Sequence, residues 1–290
     1  MELQHILGST YAVETPGALP LLYRTAEHRA LLVDTGTPAD AEGLYALLQQ
    51  SGIQLSGVFC SHAHYDHTGS AAFLRKRFGC PIFAPAFEAA VGATPESYRR
   101  HYPNTAGVGP QLLSQAAFPT DTALSPLRRS LTVDGAVFTL LPLPGHTAGQ
   151  MGLITPDGVA YLADALLTSL AHVKLPTSMD VGQDLRTKEG LLELNCKAYI
   201  LAHRGVLESL QDVVPANTAL FRQKGEELLA SLEGTMEEDV WRDAFCRRAG
   251  IHTTDPFKVS ITRRNFGRFA AWLQEQGKVL RQDDGTYIRI

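Results

Sequence analysis

Five short apolar runs in this chain each stop at a residue able to ligate a metal, or to support one that does. Residues 30–33 run into Asp34-Thr35-Gly36, residues 57–60 into Ser61-His62, and residues 137–143 into Pro144-Gly145-His146-Thr147. Residues 159–163 stop at Asp164, and residues 198–202 at His203-Arg204-Gly205. Uninterrupted apolar runs of this length suit strands covered on both faces. Segments of helical period lie between some of them: residues 39–50, residues 68–78 with Gly79 as a C-cap, and residues 187–194. The alternation predicts an α/β layered domain. If the strand ends share one edge of a sheet, the chemistry sits there, on loops held by a rigid frame.

The second run leads into His62-Ala63-His64-Tyr65-Asp66-His67, between a predicted strand and a predicted helix. Two residues apart on extended backbone, His62 and His64 point the same way. Asp66 and His67 turn into the helix and can face a second ion. Imidazole and carboxylate without thiolate suit zinc, iron or manganese. Three packed imidazoles repel when protonated and need a cation or acidic partners. A closed structural zinc site takes four ligands, commonly rich in cysteine. The His and Asp residues here exceed that number and fit a pair of ions. The isolated His5, His28, His101, His172 and His252 read as ordinary polar side chains.

At 290 residues the chain can form one large domain, with or without a small appendage. A net charge of −4 argues against coating nucleic acid through the overall field. The first residues lack a basic, then apolar, secretory pattern, and no apolar run is long enough to span a bilayer. The expectation is a cytoplasmic protein with no membrane partner. Cys60, Cys80, Cys196 and Cys246 form no CxxC pair and read as core residues or incidental thiols.

Residues 94–130 are broken by Pro95, Pro103, Pro110, Pro119 and Pro126, with Gly107 and Gly109. Such a segment serves as a lid or substrate wall, or is a plain insertion. From about residue 216 the pattern turns helical, over residues 218–232, 236–248 and 263–276. Asp283-Asp284-Gly285 between two β-prone runs then signals a hairpin. Helices followed by a hairpin look like a winged helix. The expected division is residues 1–215, a catalytic domain with the 94–130 insertion, and residues 216–290, a C-terminal helical, winged-helix-like domain.

Taken together, the motifs resemble those of metallo-β-lactamase-superfamily hydrolases: Asp34 at a strand end, His62-x-His64-x-Asp66-His67, Pro144-Gly145-His146-Thr147, Asp164 and His203. The resemblance covers about residues 1–210 and implies a four-layered αβ/βα sandwich with the site at one edge. It also implies a first metal on His62, His64 and His146, a second on Asp66, His67 and His203, Asp164 bridging both, and Asp34 as support. Thr147 could hold a ligand by a hydrogen bond. The bridging aspartate is similar to that of glyoxalase II and unlike true β-lactamases, and His67 separates the chain from the flavodiiron branch. Tyr65 could bond substrate or simply pack. Arg204, where many relatives carry glycine, lines the site or faces solvent.

The implied activity is that of a binuclear metal-dependent hydrolase acting on a small ester or thioester. Two divalent ions, zinc first and iron or manganese as alternatives, would lower the pKa of a bridging water from about 15.7 to near neutrality. The bridging hydroxide attacks, and Asp66 orients it and passes its proton to the leaving group. The alternative is a ribonuclease or phosphodiesterase that uses the C-terminal domain for nucleic acid, with Arg263, Arg264 and Arg268 beside Phe266, Phe269 and Trp272 on a recognition helix. Basic and acidic side chains nearly balance over residues 218–290, which weighs against that use. A metal sensor or oxygen-binding centre is a third class. A homodimer through the C-terminal helices is compatible with either enzyme.

Overall fold

In the computed structural model, residues 1–102, 114, 117–203 and 205–290 are described. One sheet takes its seven strands in chain order: β1 (Glu2–Leu7), β2 (Thr10–Glu14), β3 (Leu21–Ala26), β4 (Arg29–Val33), β5 (Gln54–Phe59), β6 (Ile82–Pro85) and β7 (Thr122–Leu124). Tight turns make β1 to β4 antiparallel, whereas β4 to β7 are parallel. Parallel neighbours need crossovers. Those are α1 (Ala41–Gln50) after β4, α2 (Tyr65–Thr68) and α3 (Ala71–Phe78) after β5, and α4 (Ala86–Gly92) and α5 (Pro95–His101) after β6.

The second sheet runs β8 (Ser130–Val133), β9 (Ala136–Pro142), β10 (Met151–Ile154), β11 (Val159–Tyr161), β12 (Ala198–Leu201) and β13 (Gly205–Leu207). Only β11 and β12 pair in parallel there, with α6 (Val181–Gly190) between them in the chain. Leu31, Val33 and Phe59 of the first sheet meet Phe138, Leu153 and Ile200 of the second in a shared core. Alternate residues turn the other way. Leu32 and Val58 pack against Leu44 and Leu48 of α1 and Leu74 of α3. Tyr199 and Leu201 pack against Leu191 and Val214 on the far side. The result is the four-layered αβ/βα sandwich, and burial on both faces is why β4, β5, β11 and β12 read as unbroken apolar runs; β9 departs from that expectation, burying Phe138 and Leu140 while Val137 and Thr139 face out. Each fully buried Leu or Phe contributes about 1.5–3 kcal/mol.

Helix α6 begins well before residue 187, because the Asp180 side chain caps it by accepting from Gln183 N at 2.8 Å. Its inward face was hard to see in sequence, since it buries Asp184 and Lys188, joined to each other, alongside Val181 and Leu185. The 94–130 segment is partly regular: α5 carries a Thr94 capping box, and Phe118 is buried in the core under the first sheet. Its Pro103, Gly107, Gly109 and Pro110 lie outside the described residues.

The C-terminal region comprises α7 (Val213–Leu229), β14 (Thr235–Met236), α8 (Glu238–Ala249), α9 (Pro256–Glu275), β15 (Val279–Arg281) and β16 (Tyr287–Arg289). The hairpin forms as expected, and β14 adds a third antiparallel strand beside β16. Asp255 caps α9 by accepting from Phe257 N and Lys258 N, so this helix starts ahead of residue 263. Trp241, Phe245, Phe266 and Phe269 form its core, which also takes in Val181 and Leu185 of α6. No helix among the described residues is long and apolar enough to cross a membrane. Cys60 and Cys80 are buried and all four cysteines are free.

Candidate metal centre

Four strand ends and the β9–β10 loop bring the polar residues together. The chain leaves β4 through Asp34 at φ +59° and leaves β11 through Ala163 at φ +47°. Left-handed backbone is costly for alanine, by roughly 1–2 kcal/mol, and such residues persist where the surroundings over-determine them. Asp34 is fully committed. Its Oδ1 accepts from Ser61 N at 2.7 Å, and its Oδ2 from Ser61 Oγ at 2.7 Å and the Tyr161 hydroxyl at 2.8 Å. His67 Nδ1 lies 2.7 Å from the same Oδ2. Asp34 thus holds the His67 ring from behind through Nδ1.

The remaining donors fall into two groups around one carboxylate. His62 Nε2 and His146 Nε2 lie 2.9 and 3.0 Å from His64 Nδ1. Asp164 Oδ2 is 3.2 Å from His146 Nε2 and 3.9 Å from His62 Nε2. Its other oxygen, Oδ1, is 3.4 Å from His67 Nε2 and 3.3 Å from His203 Nε2. His203 Nε2 also lies 3.5 Å from Asp66 Oδ2. Donor atoms of His62, His64, His146 and Asp164 are all within 4.8 Å of one another, as are those of Asp66, His67 and His203. The outward-turned nitrogens have backbone partners: His146 Nδ1 lies 3.3 Å from Thr177 O, and His203 Nδ1 2.9 Å from Gly17 O.

Divalent ions fit this arrangement. His67 Nε2 and Asp164 Oδ1 are buried and lack a hydrogen-bond partner among the described residues. Each such atom costs about 1–3 kcal/mol unless something satisfies it. Ring nitrogens packed around His64 Nδ1 cannot all be satisfied by shared protons, whereas a cation accepts every lone pair.

Protonation follows the same division. Burial, then neighbouring imidazoles, holds His62 well below the ordinary histidine range, and burial likewise lowers His64 and His146. Burial opposes charge on His67 and His203 too, but carboxylates outweigh it. Asp164 and Asp34 hold His67 well up, and the Asp164 contacts carry His203 to about 9. Asp164 itself is driven well down by His67 and His146 despite its burial. A metal needs unprotonated nitrogen. Metal uptake near neutral pH should therefore expel protons, at least the one on His203, and the number released should fall as pH rises through about 9. Titration calorimetry in buffers of different ionisation enthalpy measures that release; buffer-independent heats at neutral pH would contradict it.

Glu88 of α4 is a functional side chain that the motifs did not reveal. Fully buried, it accepts from Ala63 N at 2.9 Å through one oxygen. Through the other it accepts from Thr147 Oγ1 and Gly149 N, both at 2.8 Å. It ties the 62–67 loop to the loop that carries His146. Burial pushes its carboxyl up, and the three hydrogen bonds partly hold it down. The expectation that Thr147 bonds a ligand directly is corrected here: its hydroxyl is taken by Glu88, so it acts on the ligands only through the loop. In sequence Glu88 is one acid in a short helix, with nothing to mark it.

Gly145 stands beside His146 at φ +133°, where an added Cβ would come within 2.3 Å of Asp184 Cα. Gly145→Ala should lower stability by about 1–3 kcal/mol and pull His146 out of register, which a thermal melt together with metal analysis would register.

Around the donor groups lies a cavity of about 260 Å³, lined by His64, Asp66, His146 and Asp164 and closed by Tyr98, Tyr102, Phe257, Ile261 and Arg264. Tyr65 also lines it while remaining partly exposed. Arg204 lies outside the described residues. Arg263 and Arg264, in the middle of the last helix, do not share one basic face. Arg263 makes two bonds to Asp239, at 2.9 and 2.8 Å, and Arg264 faces the cavity. Phe266 and Phe269 are buried in the C-terminal core, with Trp272 against them.

Residues 20–203 match the family model of the Metallo-beta-lactamase superfamily, and the chain belongs to that superfamily. Among its relatives within it are hydroxyacylglutathione hydrolases. The one from Alkalilimnicola ehrlichii is 33% identical over 129 residues, which is 44% of this chain and 40% of that protein. The chain thus spans well under half the length of that relative. Hydroxyacylglutathione hydrolase GloC from Haemophilus influenzae is 30% identical over 190 residues, covering 62% of this chain and 81% of GloC. For the enzyme from Methylobacillus flagellatus the identity is 30% over 259 residues, with 79% and 86% covered. A solved metallo-beta-lactamase family protein from Thermus thermophilus shares the fold with a TM-score of 0.73 at 22% identity, over 97% of this chain and 98% of its own. A beta-lactamase domain protein from Burkholderia ambifaria gives 0.71 at 16% identity, over 99% and 93%.

Proposed function

We propose that the chain is a binuclear metal-dependent hydrolase of small ester or thioester substrates. The observation that carries this reading is Asp164, which turns one carboxylate oxygen to each donor group. On this reading His62, His64 and His146 hold one ion and Asp66, His67 and His203 the other, with Asp164 shared and Asp34 positioning His67. Zinc is the first choice, given imidazole and carboxylate donors without thiolate. Relatives named hydroxyacylglutathione hydrolases support an acyl substrate. We place the chain in the cytoplasm, and its division into catalytic and C-terminal parts near residue 215.

Bound in this set, two cations would supply Lewis acidity and make water nucleophilic near neutral pH. The protein's own groups do the rest. Asp66, partly exposed at the cavity beside His203, takes a proton and returns it to the leaving atom. On this reading Tyr65, which lines the cavity, bonds the substrate. His62, His64 and His146, held below the ordinary histidine range by burial, offer neutral nitrogens to the first ion.

Metal analysis of the protein as isolated, paired with rates on thioesters, esters, lactones, phosphodiesters and RNA, tests the proposal. A pair of divalent ions with thioester or ester turnover is expected. Cleavage of RNA with every acyl substrate untouched would overturn the acyl assignment.

A further inference from the structure

Helix α6 buries an ion pair directly against the loop that carries His146. Asp184 and Lys188, each 1% exposed, are bonded to each other one turn apart. The α6 backbone abuts that loop: a Cβ added to Gly145 would lie 2.3 Å from Asp184 Cα and 2.6 Å from its Cβ. Around this contact Pro144 O accepts from Thr187 Oγ1 at 2.6 Å, and Gly145 O from Met179 N at 2.8 Å. The Lys188 ammonium in turn sits 4.4 Å from the ring centroid of Phe221 on α7, and that ring stacks on Phe269 of α9. The pair thus joins the C-terminal core to a donor loop. Its second carboxylate oxygen, Asp184 Oδ2, is buried with no hydrogen-bond partner among the described residues. Stability does not account for such a pair. Apolar side chains of similar volume often replace one at no loss, and an orphaned oxygen adds to its cost.

The first donor group has a need that this pair meets. His62, His64 and His146 offer neutral nitrogens, and the one carboxylate among them, Asp164, is shared with the second group. The second group has Asp66 within it and Asp34 behind His67. Glu88 also lies behind the first group, but three hydrogen bonds occupy it. Burial holds His146 below the ordinary histidine range; Asp164 and then Asp184 oppose that, and Lys188 adds to it more weakly than Asp184 opposes it. Together with the Gly145 contact, this makes the carboxylate the end of the pair nearer His146. We propose that Asp184 is a positioning residue for the first ion: it seats the His146 loop and presents buried negative charge behind it, with Lys188 holding the carboxylate from the C-terminal side. The inference rests on the metal-dependent reading given above.

The test uses the full chain carrying His203→Ala, in which the first donor group alone is complete. Co(II) is titrated against a competing chromophoric chelator, and its visible absorption is recorded alongside a thermal melt of the metal-free protein. In this background Asp184→Asn with Lys188→Met removes both charges while keeping side chains of similar shape. The melt should move little, whereas Co(II) affinity should fall about tenfold, the lower end of what groups behind a ligand contribute. The absorption bands, which report how the donors are arranged, should move with it. Lys188→Arg, which keeps both charges, should stay near the parent protein. Unchanged Co(II) affinity in the neutral pair would overturn the proposal. So would an equal loss in Lys188→Arg, because packing rather than charge would then be responsible. If the neutral pair loses its cooperative melt, Asp184→Asn alone decides by the same comparison. A parent protein that binds no Co(II) counts against the metal reading itself, whereas equally tight binding by parent and neutral pair counts against the positioning role alone.

Discussion

Asp164→Ala is expected to disrupt both donor groups at once, lowering metal content sharply and hydrolysis by at least about 10²–10³-fold. Each of its oxygens serves a different group, and its charge offsets the crowding of His62, His67, His146 and His203. Without it His67 and His203 lose the carboxylate that holds them up, and the site becomes a cluster of imidazoles with Asp66 at one side. His203→Ala removes a donor from the second group only and should leave the His62, His64 and His146 group able to retain an ion. Metal analysis by mass spectrometry on both variants reads the difference. Full metal occupancy in Asp164→Ala would refute the shared-carboxylate account.

Glu88→Ala should have the next largest effect, although Glu88 lies behind the donor atoms. Removing its carboxylate leaves Ala63 N, Thr147 Oγ1 and Gly149 N buried without their acceptor. Each unsatisfied donor costs about 1–3 kcal/mol, less where water enters. Since the first of these lies between His62 and His64 and the second follows His146, the loss also loosens the first donor group. Metal affinity should fall by about 10–100-fold, as for other groups that orient ligands. Glu88→Gln retains one carbonyl oxygen but aims an amide N–H at a donor, so it should fall between wild type and alanine. A melting curve that drops with metal affinity unchanged would assign Glu88 to stability alone.

The seven metal-binding candidates were legible because each follows an apolar run: His62 to His67 and His146 sit in the loops and short helix beyond β5 and β9, and Asp164 and His203 just past β11 and β12. The hexapeptide needs only local geometry: a bend over residues 61–63 in place of the expected extended segment, extended backbone at His64, then the short turn of α2. What the sequence concealed depends on contacts between distant segments. Glu88 matters through bonds to residues 25 and 61 positions away. Tyr102 and Arg264 meet only because α9 folds back over the site. Helix α6 was read late because its buried face carries the Asp184–Lys188 pair, which interrupts the apolar period. Asp34 was assigned support by resemblance, and the bond from His67 supplies its physical reason.

The final helix also touches the reactive edge directly. Asn265 Nδ2 donates to Thr177 Oγ1 at 3.2 Å, and the carbonyl of that same threonine lies 3.3 Å from His146 Nδ1. A protein shortened before Pro256 would forfeit one wall of its pocket and, in the same cut, the brace behind a donor histidine. Trimming the tail therefore would not yield a minimal enzyme of broader appetite. Exchanging α9 for another helix of equal length that preserves Asn265 is the sounder route to altered selectivity.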